Sequence, residues 1–287
     1  MSNSSRILEK RVVLDGAKGT EISKRGYTSY PLDEASVNAS KIVSDVHRSY
    51  VESGSDMVTT NTFRVTSYAT QSEMSAIVRA DYTLLKSVGA PAIALSIGPS
   101  DGDYSKFSRC QRNELKQRYG WQAELANDCQ VDMILLETVC HLEEAVMAVR
   151  VIQSITEIPV AVTCTLTGEN TLISGEPLEM FVKEIQKLGI CVIGLNCVPI
   201  NDRLLSNVCL LMDNTSLPLI IQPNLGCPKQ TKTGSIYPVD ESEFIEVMGT
   251  ILKNEQVRII GGCCGTTPHL IKKMKQQVSQ IEKGSIK

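Results

Sequence analysis

The chain has 287 residues and a mass of 31.4 kDa, enough for one large or two ordinary domains. Its net charge of −3 gives no electrostatic reason to expect nucleic acid or an anionic membrane as a partner. No apolar run approaches the roughly 18 residues of a spanning helix, and the amino terminus lacks a hydrophobic signal core. The 10 cysteines are scattered, several in apolar runs, so we expect mostly reduced cysteines in a cytoplasmic protein.

Short apolar runs alternate along the chain with longer segments of helical period. Strands are predicted at residues 12–17, 56–63, 92–99, 132–138, 160–166, 192–198, 219–225 and 258–264. Helices are predicted at residues 40–53, 66–88, 110–128, 142–155, 177–188, 202–213, 240–253 and 268–282. Near-continuous apolar strands that each precede a helix are typical of a parallel sheet covered by helices. We therefore predict an α/β protein, with residues 1–287 forming a single (β/α)8 TIM barrel domain.

A doubly wound open sheet is the rival architecture. Its dinucleotide-binding form carries three spaced glycines in the first strand-to-helix turn. Here that turn reads Asp15-Gly-Ala-Lys-Gly-Thr20, and no phosphate-binding P-loop is present. The chain also has no low-complexity linker, which favours one closed barrel.

Polar residues collect where the predicted strands end. In a (β/α)8 barrel, catalytic and binding residues lie at the carboxyl ends of the strands, so these positions are the candidates for a site. They are Asp15, Asn61, Thr62, Glu137, Thr138, Asn196, Cys197, Asn224, Cys263 and Cys264. These positions are polar where buried strands are normally apolar.

Two adjacent cysteines, Cys263 and Cys264, stand among glycines at the end of the last predicted strand. Neighbouring thiols cannot form an ordinary unstrained disulfide, and on a regular strand they would point to opposite faces. Both can face one point only where the backbone leaves the pleat, which glycine permits. Cys197, at the end of the sixth predicted strand, supplies a third thiol; taken alone it would be a core cysteine. Three thiolates suit a catalytic zinc ion with one open position.

Asp15 and Glu137 form a second candidate group. A carboxylate on a buried strand is costly unless it is paired or used, and Lys18 is the only obvious local partner in these two motifs. A ligand ammonium group would satisfy both carboxylates. The alternatives are helix capping for Asp15, a structural ion pair for Glu137, and the paired carboxylates of a glycosidase, which would leave the thiols unexplained.

The chain contains three histidines, His47, His141 and His269. A surface or capping role is expected for His47 and His269. His141 follows Glu137 closely enough to reach the site. No spacing of serine, histidine and aspartate indicates a hydrolase triad.

Seven segments, taken together and in order, resemble the homocysteine S-methyltransferase family, which includes betaine-, S-methylmethionine- and cobalamin-dependent members. The segments are Asp15-Gly-Ala-Lys-Gly-Thr20, Thr60-Asn-Thr-Phe63, Ile97-Gly-Pro99, Leu136-Glu-Thr138, Gly194-Leu-Asn-Cys197, Pro223-Asn224 with Gly226, and Gly261-Gly-Cys-Cys-Gly-Thr-Thr-Pro268. The last is the most specific.

The resemblance implies a (β/α)8 barrel in which Cys197, Cys263 and Cys264 hold Zn²⁺ and homocysteine sulfur takes the open position. It implies that Asp15 and Glu137 hold the substrate's ammonium group. Because they lie at the same strand ends, we expect Asn61 and Thr138 to contribute to substrate binding. The partners implied are homocysteine and a small methyl donor, and the product is methionine.

The resemblance leaves the donor open. S-methylmethionine or S-adenosylmethionine is the simplest case, although residues 100–107 form a shorter loop than S-methylmethionine-dependent members carry. Betaine is an alternative, and so is a corrinoid protein, which would have to be a separate partner. The alternative function is a non-catalytic zinc-binding or redox-sensing barrel. A closed zinc site would need a fourth ligand, for which Cys227 is the nearest candidate.

Overall fold

A computed structural model describes residues 8–227, 229–231, 234–237 and 239–284. Eight parallel strands form one sheet in the order β1-β10-β7-β6-β5-β4-β3-β2, and β8 and β9 form a separate antiparallel hairpin. The ten strands are β1 Val12–Val13, β2 Val58–Thr59, β3 Ile93–Ile97, β4 Met133–Val139, β5 Val160–Cys164, β6 Val192–Pro199, β7 Leu219–Asn224, β8 Lys229–Thr231, β9 Gly234–Ile236 and β10 Val257–Ile260.

The two end strands of the sheet meet and close it. The backbone N–H of Asp56, just before β2, donates to the carbonyl oxygen of Val13 in β1 at 2.7 Å. The N–H of Val13 donates in return to Asp56 Oδ2 at 2.9 Å. Neighbouring strands follow chain order around the ring, with no reversal of the kind that defines a doubly wound sheet. The predicted TIM barrel is confirmed.

All eight predicted helices are present, and the structure adds two short ones, α1 and α2. The part of the chain that the structure describes contains ten α-helices, α1 Lys18–Lys24, α2 Ala35–Asn38, α3 Ser40–Glu52, α4 Gln71–Ser87, α5 Arg109–Cys129, α6 Leu142–Gln153, α7 Leu178–Ile185, α8 Asp202–Asn214, α9 Glu241–Leu252 and α10 Pro268–Glu282. Helix α4 begins at Gln71 instead of the predicted residue 66 because Thr70 and Glu73 form a capping box that fixes its first turn. None of the described helices combines the length and apolarity needed to cross a bilayer.

Side chains alternate between the two faces of each strand, and this divides the core into two layers. Outward-facing side chains pack against the helices, whereas inward-facing ones from or beside all eight barrel strands form a second cluster inside the ring. This inner cluster contains Val12, Leu14, Met57, Ala94, Met133, Leu135, Ala161, Val192, Ile220 and Ile259. It fills the amino-terminal half of the barrel, so the interior there is packed solid.

Two residues further along several strands, the same inward-facing row becomes polar. The pairs are Ala94 and Ser96, Leu135 and Glu137, Ala161 and Thr163, and Ile220 and Gln222. Successive inward positions are two residues apart, so this change in residue type marks where the packed core ends. The carboxyl half of the barrel is therefore free to form a polar pocket.

Candidate active site

A cavity of about 340 Å³ opens at the carboxyl ends of the barrel strands. Side chains from β2, β3, β4, β6 and β7 and from the segments after β1 and β10 line it. They include Asp15, Lys18, Thr59, Asn61, Ser96, Glu137, Thr138, Cys197, Gln222, Cys263 and Cys264. The seven residues predicted to bind metal or substrate therefore all line one cavity, whereas Thr62, Asn196 and Asn224, the other candidate positions at strand ends, do not.

The three predicted thiols converge. The sulfurs of Cys197, Cys263 and Cys264 all lie within 4.8 Å of one another, and the Sγ atoms of Cys197 and Cys264 are 3.9 Å apart. Tetrahedral zinc with bonds of about 2.3 Å to sulfur needs sulfurs about 3.8 Å apart, so this donor set fits zinc. No other group of metal-binding side chains of this kind occurs among the described residues, and exposed Cys227 lies outside this one. The fourth position expected of a closed site is thus not supplied by Cys227.

Local backbone geometry turns the thiols toward one point. The register between β6 and β7 shifts between Asn196 and Pro199, and Cys197 adopts a left-handed conformation with φ of 57°. Such a conformation is uncommon for a residue other than glycine and marks a position held by its surroundings. The last barrel strand ends at Ile260, so Cys263 and Cys264 lie on an irregular turn beyond it.

Hydrogen bonding among the three thiols gives them different pKa values. Hydrogen bonds from the thiols of Cys197 and Cys263 hold the pKa of Cys264 well below its usual value. The pKa of Cys263 is instead raised, because Cys263 hydrogen-bonds to both Cys197 and Cys264. Tyr237, beyond the β8–β9 hairpin, donates a further hydrogen bond that lowers the pKa of Cys264. Hydrogen bonds from two of the thiols thus favour the thiolate form of the third. Nothing in the sequence spacing pointed to Tyr237, because the hairpin was not predicted.

Glu137 lines the same cavity as the thiols and receives its hydrogen bonds from neutral donors. Ser96 Oγ donates to Glu137 Oε1, and Asn196 Nδ2 donates to Glu137 Oε2 at 3.2 Å. Burial raises the pKa of Glu137, more than the Ser96 hydrogen bond and the positive charge of Lys18 lower it. The structural ion pair considered for Glu137 is absent among the described residues. A cationic ligand would supply the missing counter-charge.

Asn196 orients this wall of the pocket. Its Oδ1 accepts from the N–H of Thr138 and from Thr163 Oγ1, both at 2.8 Å, and its Nδ2 donates to Thr138 Oγ1 at 2.6 Å. The side chain is fully buried, so every one of these bonds replaces water. Thr138 has φ of 60°, an outlier for a β-branched residue, and sits at the register shift between β4 and β5. Asn196 therefore fixes both Glu137 and the bulge that presents it.

Asp15 is already paired within the chain. Its Oδ2 lies 2.5 Å from Lys18 Nζ, and both carboxylate oxygens also accept hydrogen bonds from Thr59. The helix-capping alternative for Asp15 is wrong, because helix α1 begins after Ala17 and has no side-chain cap. The ion pair is therefore with Lys18, the local partner expected from the sequence.

The other two predicted substrate-binding residues, Asn61 and Thr138, line the cavity and also hydrogen-bond to neighbouring protein groups. Asn61 lines the cavity, but its Nδ2 donates to Leu32 O and to Ser36 Oγ, and its N–H donates to Asp81 Oδ2. Thr138 also lines the cavity, with its hydroxyl accepting from Asn196. Both residues are placed where a ligand could meet them, and both also hold the pocket wall together.

The histidines correct two expectations. His47 is fully buried and its Nε2 lies 3.0 Å from Asp81 Oδ1, so the predicted surface or capping role is wrong: helix α3 packs this face inward. His141 packs near Tyr104 and lines shallow cavities outside the central one, so it does not reach the predicted site. The side chain of His269 is 64% exposed, as expected for a surface residue.

One further acid was missed. Asp33 lines the outer part of the cavity with Tyr30 and Phe63, and only 3% of it is exposed. Burial raises its pKa to about 7, against a hydrogen bond from the N–H of Arg64 that lowers it. A short 3₁₀ helix brings Asp33 over the pocket, and no periodic pattern in the sequence indicates that turn.

Comparison with known proteins gives a consistent result. A family model described as homocysteine S-methyltransferase matches residues 12–278. The chain is 25% identical over 307 residues to the methionine synthase of Mycobacterium leprae, covering 97% of this chain but 25% of that protein. It is 26% identical over 287 residues to the S-methylmethionine–homocysteine S-methyltransferase BHMT2 of Pongo abelii, covering 93% of this chain and 78% of that protein. This chain thus spans about a quarter of the methionine synthase.

A similar barrel is known from crystal structures. The metallated form of the homocysteine methyltransferase MmuM from Escherichia coli superimposes with a TM-score of 0.79 and 20% identity, covering 96% of this chain and 100% of that one. This likeness concerns the fold, and the match to the family model covers nearly the whole barrel with the thiol cluster in it. The chain therefore belongs to the homocysteine S-methyltransferase family.

Proposed function

We propose that this chain is a zinc-dependent methyltransferase that moves a methyl group from a small sulfonium donor to the thiolate of homocysteine, giving methionine. S-methylmethionine and S-adenosylmethionine are the favoured donors. The observation that carries the proposal is the convergence of three sulfurs on a cavity that is also lined by Glu137, an acid without an ion-pair partner among the described residues. Membership of the family supports the acceptor, and the likeness to BHMT2 supports the donor class.

Cys197, Cys263 and Cys264 would hold the zinc ion. When bound, zinc would lower the pKa of a coordinated thiol, so that homocysteine reacts as a thiolate at neutral pH. The left-handed backbone of Cys197 and the turn beyond β10 hold the three sulfurs in place beforehand, which reduces the cost of ordering them when the metal binds.

Glu137 would bind the ammonium group of homocysteine, and Asp15, Asn61 and Thr138 line the same cavity. Burial raises the pKa of Glu137, and a ligand ammonium group would lower that pKa in the bound state relative to the free state. Ser96 and Asn196 keep the carboxyl group oriented in both states. The amino acid is thereby held at one end while its sulfur lies near the thiols.

In the methyl transfer, the sulfur of homocysteine forms a bond to the methyl carbon as the bond from that carbon to the donor sulfonium breaks. The electron pair of the broken bond stays on the donor sulfur, which leaves as a neutral thioether, and the thiol proton has already been lost to solvent. Tyr30, Phe63 and Asp33 line the outer part of the cavity, and aromatic faces with an acid suit a cationic donor. The protein contributes chiefly proximity and orientation.

We also infer that residues 1–287 act as a single homocysteine-binding barrel domain, because the family match and the barrel strands run through nearly the whole chain. A cytoplasmic location would suit its 10 free cysteines, which stay reduced in that compartment.

A donor panel tests the proposal. Zinc-loaded protein and homocysteine would be mixed with S-methylmethionine, S-adenosylmethionine, betaine or a methyl-corrinoid protein, and methionine measured by mass spectrometry. We expect methionine with a sulfonium donor, and none without homocysteine. Transfer from betaine or the corrinoid protein alone would overturn the donor class, and zinc binding without transfer from any donor would support a zinc-binding or redox-sensing barrel instead.

A further inference from the structure

Lys18 introduces a positive charge into a pocket expected to bind an amino acid by its ammonium group. Its side chain is only 11% exposed, and its Nζ lies 2.5 Å from Asp15 Oδ2. The same ammonium group donates to Thr59 Oγ1. Lys18 lines the cavity together with Glu137 and the thiols, so a bound amino acid would meet it.

The charges of the two predicted ammonium anchors are therefore not equivalent. Asp15 has Lys18 as counter-ion and two further hydrogen bonds from Thr59, so its burial needs no ligand. Among the described residues, Glu137 receives hydrogen bonds only from neutral Ser96 and Asn196. A substrate ammonium group would find its missing counter-charge at Glu137 and a competing cation at Asp15.

The ammonium group of lysine has three donors, of which Asp15 and Thr59 occupy two. An amino acid also carries a carboxylate. Among the described residues that line the cavity, Lys18 and Arg64 are the two with cationic side chains, and Arg64 is paired with Asp101. We propose that Lys18 is a specificity-determining residue that binds the substrate's carboxylate, and that Asp15 is a positioning residue that holds Lys18. The amino acid is then recognised by opposite charges, Lys18 for its carboxylate and Glu137 for its ammonium group. This inference rests on the proposed function and names how its acceptor is selected.

Three thiols separate the two charges of the acceptor. Homocysteine carries both, 4-sulfanylbutanoate lacks the ammonium group, and 3-aminopropane-1-thiol lacks the carboxylate. Binding of each to zinc-loaded protein would be measured by titration calorimetry without a methyl donor, for the wild type, Lys18→Met and Glu137→Gln. A charge-assisted hydrogen bond is worth about 10- to 100-fold in affinity.

We expect Lys18→Met to weaken homocysteine and 4-sulfanylbutanoate about 10- to 100-fold and to leave 3-aminopropane-1-thiol within about twofold. Glu137→Gln should do the reverse, weakening homocysteine and 3-aminopropane-1-thiol while sparing 4-sulfanylbutanoate. Lys18→Arg keeps the charge and should preserve binding of 4-sulfanylbutanoate to within about tenfold.

Lys18→Met leaves Asp15 buried without its counter-ion, which can prevent folding. The double variant Asp15→Asn with Lys18→Met removes both charges together and gives the same comparison, with Asp15→Asn alone as its reference. Equal affinity of wild type and Lys18 variants for 4-sulfanylbutanoate would overturn the inference. Tighter binding of homocysteine or 3-aminopropane-1-thiol by Lys18→Met would also overturn it, because Lys18 would then occupy the place of the substrate ammonium group. Failure of the proposed function would show itself separately, as wild-type protein that neither binds nor methylates homocysteine.

Discussion

Two cysteines at opposite ends of strand β6 show how differently the two ends of this barrel are used. Cys191 directly precedes the strand, and its thiol donates to the carbonyl oxygen of Val160 at 3.2 Å. Burial raises the pKa of Cys191 to about 12. Cys197, near the other end, lies 3.9 Å from the sulfur of Cys264 and belongs to the cluster of three thiols. Both residues are partly exposed, so solvent access does not explain the difference.

Cavity size does not explain it either. The cavity at the amino ends of β4, β5 and β6 has a volume of about 470 Å³, larger than the 340 Å³ at the carboxyl ends. Cys191 lines the larger one, yet among the described residues no group of three metal-binding side chains meets there. Convergence of side chains from several strand ends, not volume, distinguishes the candidate active site.

The largest expected effect is on metal binding. Cys197→Ser should reduce bound zinc from about one ion per chain to a small fraction and abolish methyl transfer, because two thiolates hold zinc far less tightly than three. Cys191→Ser, the matched control on the same strand, should retain both. Metal analysis by mass spectrometry and a methionine assay would check this. Full zinc in Cys197→Ser, or its loss in Cys191→Ser, would contradict the division between the two ends.

The middle of β6 should be the most sensitive to added volume. A Cβ atom on Gly194 would lie 1.7 Å from the carbonyl oxygen of Ile220, a contact that the paired backbones cannot relieve. Gly194→Ala should lower the free energy of unfolding by more than about 3 kcal/mol. Gly189→Ala, just before the strand, meets nothing within 4 Å and is opposed only by its φ of 70°. It should cost about 1 kcal/mol, and urea unfolding of both variants would measure the contrast.

Asp33 should make stability at the mouth depend on pH. Its folded pKa of about 7 exceeds the ordinary 3.8, so the native protein binds the proton more tightly than the unfolded chain. That stability is present below 3.8 and is lost as pH rises to about 7. Relative to Asp33→Asn, the wild type should therefore lose about 4 kcal/mol across this interval. Parallel stability curves for the two metal-free proteins would show that Asp33 does not titrate in this way.

The smallest effect concerns thiol reactivity. In metal-free protein near neutral pH, iodoacetamide should modify Cys264 at least about tenfold faster than Cys191, because the thiolate is the nucleophile. The pKa of Cys264 is lowered by hydrogen bonds from Cys197 and Cys263, whereas burial raises that of Cys191. Peptide mass spectrometry after timed labelling would rank the two. Equal rates of labelling at the two cysteines would show that Cys264 is not more acidic than Cys191.

Much of the fold could be predicted because it rests on periodicity. Apolar runs and helical segments alternate strongly enough to locate all eight barrel strands and their helices. The predictions failed where local structure depends on distant partners: helices α1 and α2, the β8–β9 hairpin, and the early ends of β1 and β2. After Val13 and Thr59 the chain leaves the sheet to form the pocket, whereas the predicted strands run on to residues 17 and 63. No local pattern records that departure.

The sequence by itself determined the barrel, the order of its strands and helices and the residue types that face the pocket, because hydrophobic period and a glycine-flanked cysteine pair are local features. Only the tertiary structure decided which of those side chains meet. It brought Cys197 to Cys264 across 67 residues of chain and paired Asp15 with Lys18 and Thr59. Distances of this kind depend on closure of the ring and on the left-handed turns at Thr138 and Cys197, which packing imposes and composition does not encode.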